Sequence, residues 1–147
     1  MVTAGLLAGL VAPLSACSTP VEVSPPEPAP TARDVCRALA DQLPEAVLEQ
    51  EARDTDPDSD LTAAWGDPAI VLRCGVPEPE ALEPTSQLVT VDGVDWFPEQ
   101  LTSGYLFTTY GRVVFVEVSV PDDYAPEAGA LTDLADPVQA AVPRALG

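Results

Sequence analysis

Eight residues, Val113 to Val120, read VVFVEVSV. Val114, Val116, Val118 and Val120 put a β-branched side chain on every second position, with Glu117 and Ser119 between them. A period of two belongs to a strand with one buried face, so this segment demands a sheet and something to cover it. Ile70, Leu72 and Cys74 alternate with Val71 and Arg73 in the same way, which predicts a second strand with Cys74 on its inner side. Tyr105 to Tyr110 reads as a third strand, followed by a turn at Gly111. Leu88 to Val91 and Val94 to Phe97 flank Asp92-Gly93. Both positions of a two-residue hairpin turn need positive φ, and Asp-Gly between apolar runs meets that need.

The chain ends differently. Ala32, Val35, Cys36, Leu39 and Leu43 recur at helical spacing, behind Thr31 as N-cap with Asp34 three residues on. Pro44 ends or bends this helix, and a further turn through Val47 and Leu48 is expected. Leu131, Leu134, Val138 and Val142 predict a C-terminal helix, which Asp136-Pro137 restarts as N-cap and first-turn proline. Helix, strands, helix is the order of an α+β fold. We expect an antiparallel, meander-like β-sheet of about four to five strands with the N- and C-terminal helices packed on one face. With 147 residues, a single domain is expected.

Charge and composition narrow the function. Hydrophobic residues are 46% of the chain, enough for a core, and 24 acidic against 6 basic residues leave a net charge of −18. Such a surface repels polyanions, and no cluster of basic residues is present, so nucleic acid is excluded as a partner. Cationic partners suit the charge better. There is no histidine, which removes the usual general base, the commonest zinc ligand and every nucleophile pair built on histidine. No GxSxG, Ser-x-x-Lys, phosphate-loop or metal-spaced cysteine motif occurs, and no cofactor is expected.

Residues 1–17 carry no charged side chain and hold a short apolar stretch through Leu6, Leu7, Leu10, Val11 and Leu14. It is shorter than the ~20 residues of a membrane-spanning helix and has the length of a signal-peptide core. Leu14-Ser15-Ala16-Cys17 resembles a lipobox, the leucine-small-small-cysteine motif of bacterial lipoproteins. That resemblance implies a diacylglyceryl thioether on Cys17, cleavage before it, and an extracytoplasmic protein anchored to the outer face of the cell membrane. Two acyl chains anchor stably where one is marginal. The basic residues that open a signal peptide are absent before this core. The competing reading is a buried N-terminal helix with an ordinary cysteine.

Three cysteines are an awkward number for an exported chain. With Cys17 assigned to lipid, Cys36 and Cys74 remain, either as a disulfide formed in an oxidising compartment or as two buried free thiols. Residues 18–30, STPVEVSPPEPAP, include five prolines and no period. They read as an extended tether reaching about 40 Å at about 3.1 Å per residue, which would hold the domain off the membrane. The expected organisation is thus a lipoprotein signal peptide over 1–17, a Pro-rich tether over 18–30 and one α+β domain over 31–147.

Three further stretches carry a resemblance. WGDPAIVLRCGV (Trp65 to Val76), VDGVDWF (Val91 to Phe97) and FTTYGR (Phe107 to Arg112) resemble, in this order, the actinobacterial lipoprotein family with domain of unknown function 3515. The likeness runs from about Arg33 to Asp136. It implies an exported protein with an envelope role, and no reaction, because the family has none assigned.

Each candidate for chemistry has a plainer reading beside it. Asp56, Asp58 and Asp60 with Asp67 fall at positions one, three, five and twelve of a calcium loop, though Leu61 stands where that loop turns on glycine. The plainer reading is a solvated acidic loop. Trp65 and Trp96 would form an aromatic platform for a glycan or peptide if exposed, and would anchor the core if buried. Arg73 and Arg112 would hold a carboxylate ligand, or pair with the abundant acids as structural bridges. Asp92, Asp95 and Glu99 are carboxylates for general acid-base work, yet turn chemistry alone accounts for Asp92. The leading expectation is a non-catalytic binding or assembly module. It would take an envelope protein or cell-wall component around Trp65-Gly66-Asp67, the Asp92-Gly93 hairpin with Trp96, and Tyr110-Gly111-Arg112, with Arg73 nearby. The alternatives are an envelope hydrolase or transferase using Asp67 and Asp95, and a calcium-stabilised structural module.

Overall fold

A computed structural model describes Met1 and residues 18–147. The lipobox and its Cys17 lie outside the described residues. In chain order the elements are β1 (Val21–Glu22), α1 (Pro30–Ala40), β2 (Ala46–Val47), β3 (Gln50–Arg53), β4 (Thr55–Asp56), β5 (Thr62–Trp65), β6 (Ile70–Val76), β7 (Val89–Val91), β8 (Val94–Leu101), β9 (Gly104–Tyr110), β10 (Phe115–Val120) and α2 (Ala130–Ala141). Eight strands form one antiparallel sheet in the order β2-β3-β5-β6-β10-β9-β8-β7, and β1 pairs in parallel with β4 beside it. The expected antiparallel sheet with two helices is present, but it is wider than four to five strands. The additions are short: β2 and β3 have two and four residues, and β5 is built from Thr62, two alanines and Trp65.

The alternation in the sequence is the alternation in the structure. Ile70, Leu72, Cys74 and Val76 of β6 are buried and the residues between them are half-buried. Val116, Val118 and Val120 of β10 are buried on the same face, joined by Val114 just ahead of the strand. This face meets Leu39 of α1 and Leu131, Leu134 and Val138 of α2 in one apolar cluster. Cys36 of α1 and Cys74 of β6 are bridged, with Cα atoms 5.6 Å apart, inside the usual range for a disulfide. The first helix is thus stapled to a strand in the interior of the sheet.

Both helix ends differ from expectation. Pro30 occupies the first helical position and Ala29 the cap, with no side-chain cap bond, so Thr31 lies inside the first turn. Proline suits that position because its missing N–H has no partner there anyway. The helix stops at Ala40, short of Leu43, and Pro44 disfavours helical geometry at the residue before it. Val47 then enters a strand rather than a second turn. At the other end α2 runs unbroken through Pro137 instead of restarting at Asp136.

Residues 18–29 are extended, and from Thr19 onward they lie on the domain. The Val21 N–H donates to the Asp54 carbonyl (2.8 Å) and the Val23 N–H to that of Asp56 (3.1 Å). Arg53 Nη2 donates to the Thr19 carbonyl (2.6 Å) and Arg73 Nε to that of Ser24 (3.1 Å). Pro28 sits over Gly75, where a Cβ would come within 2.6 Å of its ring. Arg73 and Gly75 alternate with the buried residues of β6, so this strap crosses the sheet face opposite the helices. Among the described residues no helix is long and apolar enough to cross a membrane.

Candidate functional site

Strand register sorts the candidate loops into two groups. Trp65 pairs with Ile70, so the Gly66-Asp67 turn joins β5 to β6 at the end of the sheet where β10 finishes at Val120 and β9 begins at Gly104. Asp95 pairs with Tyr110 and Val91 with Val94, so Asp92-Gly93 and Tyr110-Gly111-Arg112 stand together at the opposite end. The three loops expected to form one site therefore do not. Two of them meet at the Gly93 end, and Asp67 lies a strand length away at the Gly66 end.

The Gly93 end is stitched by the chain's C-terminal segment. Asp92 and Gly93 both have positive φ (45° and 81°), as their hairpin requires. The Asp92 carbonyl accepts from Gln139 Nε2 of α2, and the Gly93 carbonyl from Arg144 Nη2 at 3.4 Å. The Val113 N–H donates to the Pro143 carbonyl (3.0 Å), and the Ala145 N–H to the Gly111 carbonyl (2.9 Å). Arg112 is buried and its Nη1 donates to the Val142 carbonyl (3.0 Å). Burial holds its guanidinium below the usual arginine value, Arg144 adds to that, and Asp95 opposes it. Arg112 thus secures the C-terminal segment through Nη1. Thr90 Oγ1 donates to Asp95 Oδ1 at 2.6 Å.

What this end leaves exposed is apolar. From Ser18 onward the large hydrophobic side chains left exposed are Leu101, Tyr110, Val113 and Leu146, and the last three are all at the Gly93 end. Tyr110 also borders an open hollow of about 200 Å³ with Leu82 and Pro84, rimmed by Glu78 and Glu83. Val113 and Leu146 were not singled out from the sequence. A signal for Val113 was there, since it falls on the odd, outward positions of an otherwise clean alternation.

The remaining candidates are structural or isolated. Trp65 and Trp96 are 1% and 0% exposed, so neither forms a surface platform. Both belong to the core, and the Trp65 indole N–H donates to the Pro44 carbonyl (3.0 Å). Arg73 Nη1 meets Glu117 Oε1 at 2.8 Å across β6 and β10 while its Nε holds Ser24, which makes it a bridge between strands and strap. Asp67, with an exposed side chain, is 3.9 Å from Arg53, and Asp95 is at the far end, so these two cannot share a reacting atom. Glu99 lies four residues along β8 from Asp95, about 13 Å at strand rise. The acidic set Asp56, Asp58, Asp60 and Asp67 does not gather either. Asp56 of β4 pairs with Glu22 of β1, Asp60 faces Arg37 at 3.6 Å, and among the described residues no group of three or more potential ligands is placed to hold a metal ion.

The Gly66 end carries an open hollow of about 550 Å³ between Ser18, Thr19, the Glu49–Arg53 segment and Asp67. Arg53 organises it, with Nη1 donating to the Gly66 carbonyl (2.8 Å) and Nη2 to Thr19. Neither the curated proteins nor the solved structures yield a match to the chain. Over residues 1–146 it matches the family described as protein of unknown function (DUF3515), and it belongs to that family.

Proposed function

We propose that the chain is a lipid-anchored, extracytoplasmic binding module of the cell envelope, tethered through Cys17, whose working surface is the Gly93 end. The carrying observation is the gathering of Tyr110, Val113 and Leu146 around loops pinned by Arg112, Gln139 and Arg144. Large apolar side chains exposed together on a rigid support suit a docking surface, where ordering costs are already met. The acidic rim from Glu78 and Glu83 favours a partner that offers apolar groups with positive charge around them, and an envelope protein fits that description best.

A photo-crosslinking residue at position 110 in living cells tests this reading. We expect one recurrent envelope protein, lost when Val113→Ser and Leu146→Ser are added, with an unchanged melting temperature because both side chains face solvent. The same products from a crosslinker at position 101, at the other end of the sheet, would sink it.

A further inference from the structure

We infer that the Gly66 end is the face apposed to the membrane and that the domain stands end-on to an anionic bilayer, held by a leash of only two Cα–Cα steps. The inference rests on anchoring through Cys17. Its observation is the strap. Residues 18–30 have a composition that suits a spacer, yet the Thr19 carbonyl is already bonded to Arg53 (2.6 Å) and the Val21 N–H to Asp54 (2.8 Å). Only Ser18 stands between Cys17 and that first fixed residue. Two Cα–Cα steps span at most about 7 Å, against the ~40 Å of a free tether.

The strap also has a direction. Thr19 lies at Arg53 and the Gly66 turn, Ser24 at Arg73 and Pro28 at Gly75, so it runs parallel to β6 from the Gly66 end toward the Gly93 end. Ser18, the residue next to the anchor, therefore lies at the Gly66 end, beside Glu49, Glu51 and Asp67. Charge then sets the posture. All of the net −18 belongs to residues beyond Cys17. A body so acidic is repelled by anionic headgroups over a Debye length of about 8 Å at physiological salt, similar to the leash. Tied at one end and repelled along its length, the domain points away from the bilayer. The Gly93 end is then displaced outward by at least the length of β9, six steps or about 20 Å.

The test uses the lipidated protein, purified from membranes and reconstituted into phosphatidylglycerol-containing vesicles. A fluorophore is placed by amber suppression at Thr102, in the β8–β9 turn of the Gly66 end, or at Val113. Headgroup-attached nitroxide lipids quench over short range. We expect quenching at 102 and none at 113. A flexible insertion of about ten residues between Ser18 and Thr19 lengthens the leash by about 17 Å and should abolish the quenching at 102 while leaving the fold intact. Equal quenching at both positions, or more at 113, overturns the orientation alone. Absence of the protein from the membrane fraction, or retention of Cys17→Ala there, removes the anchor and overturns both readings.

Discussion

Replacing both Cys36 and Cys74 by alanine should cost about 4 kcal/mol of stability. The bridge spans 38 residues of sequence. In the loop-closure treatment, a cross-link of that span removes about 13 cal/mol/K from the unfolded ensemble, or about 4 kcal/mol at 25 °C. Domains of this size are stable by about 5–15 kcal/mol, so the loss is a large share of the whole. Both cysteines are buried, at 0% and 1% exposure, and alanine at these sites removes little more than the sulfur atoms. Urea unfolding followed by tryptophan fluorescence is the natural assay, because Trp65 and Trp96 are both buried and both report global exposure. Reducing the wild-type protein provides the control, since it opens the loop and keeps the sulfurs. The alanine variant and the reduced protein should lose most of the same stability. A difference between oxidised and reduced protein below about 1 kcal/mol, the size of an ordinary single substitution, would refute the loop argument.

Two other perturbations read the Gly66 end. Tyr124 donates to the Pro68 carbonyl at 2.7 Å, and burial, with Asp123 and Asp67 adding to it, raises its phenol above the ordinary 10.0. The folded state therefore keeps this proton longer than the unfolded chain. Its contribution is complete below about pH 10 and is lost as pH rises through the raised value, so Tyr124→Phe should flatten the alkaline fall in urea midpoint. Superimposable pH profiles for the two proteins would discard that account. Gly104 has φ +117°, and a Cβ there would overlap the Val120 carbonyl oxygen. Gly104→Ala should destabilise by about 3 kcal/mol or more in the same urea assay, and a loss under about 1 kcal/mol would show that the β9–β10 junction yields easily.

Those parts of the fold that face both water and core were legible in the sequence. β6 and β10 announce themselves because every second residue is buried, and the Asp92-Gly93 hairpin because two successive positive φ values need those residues. β3 shows no such signal. Gln50, Glu51, Ala52 and Arg53 are exposed or half-buried, and a strand with no buried face has no apolar period to read. β2 is too short to show one. The strap illustrates a different limit. Proline content dictated that residues 18–29 be extended, but what an extended chain lies on is decided by Arg53, Arg73 and Gly75, far away in sequence. The site suffered from the same distance. Asp92 and Tyr110 share one end of the sheet, and Asp67 lies at the other, because of strand order and register, and neither is a local property. The tryptophans and Arg112 drew attention as rare residue types in loop-like settings, and the structure uses them for packing and for holding the C-terminal segment.

The position of the disulfide also decides where a pulling force would be borne. Once the strap's hydrogen bonds to Arg53, Asp54, Asp56 and Arg73 give way, tension along it reaches α1 at Pro30 and, six residues later, the covalent bond at Cys36. That bond hands the load to Cys74 in β6, which has β5 on one side and β10 on the other. The force does not arrive at β2 or β7, the edge strands whose few hydrogen bonds would open one after another. It arrives in the interior of the sheet, along the strand direction, where the ladders to both neighbours must yield together. Oxidation thus does more than stabilise the domain: it turns the strap into a mechanical attachment to the sheet's interior.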